Sequence, residues 1–333
     1  MKIGILVGVA KSAIHKAQIF GESVQLVGHQ VEYFAKSHFA TKSKISCGSS
    51  NEELYRLALE SNCDFFMGCN DNLGTFISML NRRLGWNVIP ENAADKTNLK
   101  NLTSKLQEIR SWERMDEVPE NIEIFVKPLS GSGSIGGDEW CYKKFDSIKS
   151  FKEYLEYKVD GGLERFNYAQ NHLGALGKSI FQEYVHSKGF MYNHYLNDGT
   201  ATQWLESYCY APSPDEPCFN KVQFDDTYDF VKNVSIGTMC SFQAFPGIPP
   251  KIFDFNVRCS AYWTSIYQHI CPDFFNTFFN NLLNAKTEKY DFKFSEFTMW
   301  PDNLENVNKP GIKLIIGDYP AGGLDLPYIL ELK

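Results

Sequence analysis

Apolar and polar positions change their period several times along the chain, and each change marks a predicted element. Ile3 to Val9 is a nearly continuous apolar run broken only by Gly4 and Gly8, the pattern of a strand buried on both faces of a sheet. Lys11 to Phe20 has helical spacing, and Ser23 to Val27 predicts a second short strand. Ser49-Ser50-Asn51-Glu52-Glu53 sets a capping residue before early acids and opens a helix running to Glu60. Cys63 to Cys69 predicts a third strand, Asn72 to Leu84 a helix, and Asn87 to Pro90 another short strand. Strands alternating with helices imply a parallel sheet covered on both sides. Ligands of such sheets meet the carboxyl ends of the strands. The loops Gly8-Val9-Ala10-Lys11-Ser12 and Gly68-Cys69-Asn70-Asp71-Asn72 lie at those ends, where they either contact a substrate or merely connect elements.

Beyond residue 120 the period shortens towards two. Ile122 to Val126 predicts a strand that runs through Lys127-Pro128 into Leu129-Ser130-Gly131-Ser132-Gly133-Ser134-Ile135-Gly136-Gly137. Glycines let backbone N–H groups approach phosphate oxygens, and serine hydroxyls add donors. The loop matches GxGxxG, but Asp138 to Phe145 predicts a strand after it rather than a helix, which excludes a dinucleotide fingerprint. No Gly-Lys-Ser/Thr follows, so it is not a Walker loop. A strand–loop–strand lid over nucleotide phosphates fits, and the bland alternative is a solvated glycine/serine loop. Asp146-Ser147 caps a predicted helix from Ile148 to Tyr157, and 160–178 shows glycine breaks around a short helix. Ser179 to Val185 predicts a strand, as do Phe190 to Leu196 and Ala201 to Tyr210 around the turn Asn197-Asp198-Gly199-Thr200. Thr227 to Gly237 has helical character.

The most informative stretch is Lys251-Ile252-Phe253-Asp254-Phe255-Asn256-Val257-Arg258, where apolar and polar residues alternate strictly. Side chains of a strand alternate between faces, so Phe253, Phe255 and Val257 enter a core while Asp254, Asn256 and Arg258 share the other face. Hard oxygen donors beside a cation suit Mg²⁺ holding a polyphosphate, because Mg²⁺ takes few protein oxygens and completes its shell with phosphate and water. Met239 to Phe245 predicts a neighbouring strand, and Pro246-Gly247-Ile248-Pro249-Pro250 the turn that brings Gln243 alongside Asp254. A half-exposed strand with a polar outer face is the plainer reading of the same pattern.

Composition narrows the class. The 333 residues are 43% hydrophobic and 15% aromatic, enough for a sizeable core divided into two or three lobes. A net charge of −7 without a basic cluster argues against nucleic-acid binding. The 9 cysteines are scattered, odd in number and free of CxxC pairs, which fits reduced thiols in the cytoplasm better than disulfides or zinc. No apolar run approaches membrane-spanning length, so a soluble, cytoplasmic protein is expected.

In order, Ala94-Asp95-Lys96, Val126-Lys127-Pro128 with its Ser/Gly loop, Gln182-Glu183-Tyr184-Val185 and Asp254-Phe255-Asn256-Val257-Arg258 resemble the ATP-grasp superfamily of ATP-dependent ligases. The last block, with Cys240-Ser241-Phe242-Gln243 upstream, looks most like the large subunit of carbamoyl phosphate synthetase. The resemblance implies an ATP-grasp fold of α/β and α+β lobes: a parallel pre-domain over 1–95, a central lid over 96–185 and a metal-bearing sheet over 186–333. It implies that Lys96 and Lys127 contact ATP phosphates or the adenine edge, and that Ser130, Gly131, Ser132, Gly133 and Ser134 fold over the triphosphate. Gln182, Glu183, Tyr184 and Val185 would meet the adenine. Gln243, Asp254 and Asn256 would hold Mg²⁺, or Mn²⁺ in its place, and Arg258 would steady the transferred phosphoryl group. Two positions depart from the family: Phe190-Met191 stand where a ribose-binding glutamate is usual, and Asp254 replaces a commoner glutamate, shortening its reach by one methylene.

The activity implied is activation of a carboxylate as an acyl phosphate for attack by an amine or amino acid, with ADP and phosphate released. Its partners would be small-molecule carboxylate and amine substrates, with no nucleic acid and no membrane, and a homodimer is compatible. Two alternatives stay open: a non-catalytic ATP-binding regulatory or scaffolding protein of the same fold, and a nucleophile such as ammonia or a thiol. A protein kinase also carries a glycine loop between strands, but HRDxxxxN is absent.

Overall fold

A computed structural model describes residues 1–9, 11–70, 73–86, 107–129, 138–173, 177–187, 190–199, 204–210, 219–221, 238–245, 251–256, 264, 267–268, 271–291, 297–301, 312–314 and 328–332. The predicted strand at 87–90 and the predicted helix at 227–237 lie outside these residues.

The amino-terminal unit runs β1 (Lys2–Val7), α1 (Lys11–Leu26), β2 (Gln30–Ala35), β3 (Lys44–Cys47), α2 (Asn51–Leu59), β4 (Phe65–Gly68) and α3 (Gly74–Arg83). Its four strands are all parallel, in the order β3-β2-β1-β4. The continuous apolar run of β1 serves two cores. Ile3, Ile5 and Val7 join Ala13, Ala17, Phe20 and Val24 of α1, while Leu6 joins Leu54, Ala58 and Leu80 of α2 and α3. Ser50 caps α2 by accepting from the Glu53 N–H at 3.1 Å, as its sequence predicts.

The expected strand at 23–27 is instead the last turn of α1. Ala13, Ala17, Phe20 and Val24 recur at helical spacing on the buried face, so the helix is carried through the short β-prone stretch by packing. It stops at Gly28, whose φ of +93° only glycine adopts cheaply, with His29 N–H donating to Val24 O at 3.1 Å. The strand comes next, as β2.

A second unit contains β6 (Ser111–Trp112), a 3₁₀ turn (Met115–Glu117), β7 (Ile124–Pro128), β8 (Lys143–Phe145), α4 (Ile148–Lys158), α5 (Gly162–His172) and β9 (Ser179–Glu183). Its antiparallel sheet has the order β6-β9-β7-β8. Ile124, Val126 and Phe181 turn to one face and pack on Phe151, Leu155, Phe166 and Ala169 of the two helices. The strand expected over 138–145 is confined to its last three residues. Cys141 N–H closes a turn on Asp138 O at 2.8 Å, and Tyr142 takes a left-handed φ of +59°, so pairing begins only at Lys143.

The third sheet collects β5 (Gln107–Glu108), β10 (Phe190–Asn197), β11 (Trp204–Tyr210), β12 (Phe219–Lys221), β13 (Thr238–Phe245), β14 (Lys251–Asn256), β15 (Phe297–Pro301), β16 (Ile312–Leu314) and β17 (Tyr328–Leu332). The order is β16-β17-β15-β12-β11-β10-β13-β14-β5, antiparallel except for the short β5–β14 pair. The turn after β10 is anchored by Asp198, whose buried carboxylate accepts from Asn281 Nδ2 at 2.8 Å and Tyr290 Oη at 2.7 Å. Asn281 lies on α6 (Phe274–Asn284), which packs back on α1, with Phe20 and Phe275 ring centroids 5.2 Å apart. Among the described residues no helix is long and apolar enough to cross a membrane.

Candidate active site

The site is built around the β13–β14 hairpin. Antiparallel register sets Gln243 directly opposite Asp254 and Ser241 opposite Asn256, so these positions share one face of the ribbon. Gln243 and Asp254 are both half-buried. Of Asn256 the structure gives the strand position and its pairing. An amide oxygen and a carboxylate side by side are hard donors of the kind Mg²⁺ prefers.

The register shifts just beyond Gln243: Gln243 pairs with Asp254, and Ala244 pairs with Ile252. Phe253 is the extra residue of a β-bulge, which leaves its main chain outside the ladder. This corrects the strict alternation expected from sequence. Ile252 is the core residue here, with 1% exposure, whereas Phe253 is half-buried. Lys127 takes up the freed carbonyl. Its Nζ donates to Phe253 O at 2.8 Å and lies 5.2 Å from the centre of the Phe253 ring. Lys127 is 5% exposed, so a lysine of the second sheet reaches across and ends one residue from Asp254.

Lys127 points that way because of the register of its own sheet. Phe125 and Lys127 stand opposite Gln182 and Ile180, and this face is turned away from α4 and α5. Gln182 is buried there and donates from Nε2 to Ser111 Oγ at 3.1 Å. Glu183 ends β9 in an ion-pair network that sequence reading did not reveal. Lys251 Nζ approaches Oε1 at 2.7 Å and Arg110 Nε approaches Oε2 at 2.5 Å. Burial alone would push the Glu183 carboxyl up, but Lys251 and Arg110 together outweigh it and hold the group below the ordinary carboxylate range. Tyr184 follows, its N–H donating to Glu123 O at 2.9 Å and its ring lying 4.8 Å from Lys144 Nζ; Val185 is half-buried beside it.

Tyr142 is the other residue that sequence reading missed. Burial, then the charge of Asp254, pushes its phenol well above the usual value, which places the ring within electrostatic reach of the candidate metal ligand. Its positive φ is uncommon for a bulky residue, and its N–H donates to Val126 O at 2.6 Å, immediately before Lys127. No local pattern distinguishes Tyr142, Arg110 or Lys251; they meet the site through contacts remote in sequence. Lys96, Ser130, Gly131, Ser132, Gly133, Ser134 and Arg258 lie outside the described residues.

The amino-terminal sheet offers a second polar edge. Its chain order reverses between β1 and β4, the usual place for a ligand crevice. There Gly8 N–H donates to Asn70 Oδ1 at 2.8 Å, and the buried Lys16 Nζ donates to Cys69 O at 2.6 Å. Both loops singled out from sequence therefore meet at one edge.

Three sheets in this arrangement, with Lys127 of the second sheet set against the hairpin, define the ATP-grasp fold, which is shared with ATP-dependent ligases. No protein-family model matches the sequence, and no curated protein matches it either. Solved structures do. The chain is similar to the L-amino acid ligase from Bacillus licheniformis, with 11% identity and a TM-score of 0.65 over 99% of this chain and 93% of that one. It is similar to the N5-carboxyaminoimidazole synthetase from Staphylococcus aureus complexed with ADP, at 12% identity and a TM-score of 0.62 over 100% and 93%. The biotin carboxylase domain of the Hydrogenobacter thermophilus 2-oxoglutarate carboxylase, in complex with MgADP and bicarbonate, matches with 12% identity and a TM-score of 0.61 over 99% and 85%.

Proposed function

We propose that this chain is an ATP-dependent carboxylate–amine ligase. The observation that carries the reading is the pairing of Gln243 with Asp254 beside a buried lid lysine that ends at the next carbonyl. Mg²⁺ at Gln243, Asp254 and Asn256 would offset charge on the phosphate oxygens. The Lys127 ammonium, which donates to the Phe253 carbonyl beside Asp254, would turn to the phosphates, and Lys96 would add a second cation. The loop of Ser130, Gly131, Ser132, Gly133 and Ser134 would close over the triphosphate with its backbone donors. Glu183, kept ionised by Arg110 and Lys251, would offer an acceptor to the adenine amino group beside Gln182, Tyr184 and Val185. Residues 1–95, 96–185 and 186–333 would then act as pre-domain, lid and metal-bearing sheet.

A carboxylate is a poor electrophile. Its oxygen would attack the γ-phosphorus of ATP in line, forming an acyl phosphate as the bond to ADP breaks. The amine would then attack the carbonyl carbon, lose a proton, and expel phosphate as the C–N bond forms. Such chemistry asks the protein mainly for positioning and charge neutralisation, the work assigned to Lys127 and Arg258. Similarity to ligases and to a biotin carboxylase domain supports this class of reaction without selecting the acid.

The test incubates the protein with Mg-ATP, a panel of carboxylic acids and hydroxylamine. Hydroxamate together with ADP is expected. AMP with pyrophosphate would overturn the acyl phosphate, and ATP binding without turnover for any acid would favour the regulatory reading. In the same assay Asp254→Asn and Arg258→Ala should each lower the rate on the order of 10²–10³; turnover near the wild-type rate in either variant contradicts the assignment.

A further inference from the structure

On the helix side of the second sheet, opposite the face that carries Lys127, the chain forms an open-mouthed cavity of about 490 Å³. That is within the roughly 300–1,000 Å³ of small-molecule sites. Its floor is buried: Leu129, Phe166 and Ser179 are 7%, 2% and 3% exposed. Gln170 braces the wall, donating from Nε2 to Glu113 O at 2.9 Å and Ser179 O at 3.0 Å and accepting from Ser179 N–H at 2.5 Å.

Cations dominate the rim. Arg114, Lys152 and Lys178 face Glu113 and Asp116, leaving one positive charge in excess. Arg114 is already committed to Asp116, with Nε at 3.0 Å from Oδ1 and Nη2 at 2.7 Å from Oδ2. That guanidinium holds the Asp116 carboxyl below the ordinary range, and Lys152 adds to the pull from across the mouth. Neither Lys152 nor Lys178 has a carboxylate within 4.0 Å among the described residues. Asn167 and Asn171, one turn apart on α5, add exposed amides to the same wall.

We infer that this cavity is a second binding site, for a small organic oxyanion whose carbon skeleton rests on Leu129 and Phe166 while Lys152 and Lys178 take its charge. A bare ion would leave the apolar floor unused, and a neutral molecule would leave the excess positive charge of the rim unmatched. Nothing in the site needs nucleotide in the cleft. It does share one bond with the root of the glycine/serine loop, since Leu129 N–H donates to Lys178 O at 2.8 Å.

Calorimetric titration of glycerol 3-phosphate and of succinate into the full chain tests this, with glycerol as the neutral control. At least one of the two anions should bind, and which one does so separates a phosphate monoester from a carboxylate. Affinity should fall about tenfold or more in Lys152→Met/Lys178→Met and stay within about twofold in Lys127→Met. Binding of neither anion, or equal losses in both variants, overturns the site. Should the double variant misfold, acetylation of the wild-type protein decides the matter by peptide mass spectrometry. Either anion should protect Lys152 and Lys178 selectively, and unchanged labelling there rejects the proposal.

Discussion

At β14 one extra residue changes what the strand offers. Alternation would bury Phe253, but the bulge puts Ile252 in the core and turns the Phe253 carbonyl towards Lys127. Pairing of Gln243 with Asp254 was legible because a proline-rich turn of known length joins two patterned strands. The bulge was not, and the lysine that takes up its carbonyl lies 126 residues away. Glu183 poses the same problem: its partners Lys251 and Arg110 stand 68 and 73 positions off. Glu183→Gln should cost about 1–3 kcal/mol at pH 7, because two cations lose their shared acceptor. The carboxyl lies below its ordinary 4.5 in the folded chain, so its contribution is full above that value and is lost as pH falls through the folded value. Urea denaturation of both proteins from pH 7 down to pH 3 checks this: the gap should narrow in acid, and a constant gap would contradict the ionic account.

Helices were read most reliably where their ends carry chemistry. Ser147 caps α4 in a reciprocal box with Ser150, at 3.2 Å and 3.1 Å, as its place before an amphipathic run predicts. Ser147→Ala should lower stability by about 0.5–2 kcal/mol in thermal unfolding, and no shift in midpoint would mean that packing alone sets this end. The carboxyl end of α1 departs from local pattern because Ser23 to Val27 is β-prone taken alone, while the buried face that holds it helical runs from Ala13 to Val24. For β8 the obstacle was Tyr142, whose left-handed backbone no propensity would place there.

Across the whole molecule, the carboxyl-terminal half completes the amino-terminal core. Phe274, Phe275, Phe278 and Phe279 of α6 enter the cluster formed by β1, β2 and α1, and Asn284 Nδ2 donates to Val27 O at 3.0 Å. A truncation that removes α6 would therefore expose the face of α1 rather than free an independent unit. Phe278, with 0% exposure, should cost about 3–5 kcal/mol as Phe278→Ala in urea unfolding. A loss below about 1 kcal/mol would mean that the contact between the two halves contributes little.

Local pattern was enough to specify most strands, the helix caps and the polar face of the β13–β14 hairpin, because each is set by residues within a turn or two of one another. Which cation reaches which carbonyl, where the ladder slips, and that an aromatic helix near residue 278 closes the first sheet were decided only when distant segments packed together. Sequence spacing holds no record of those meetings, since the energy that selects them comes from burial and charge pairing between surfaces that exist only once the chain has folded.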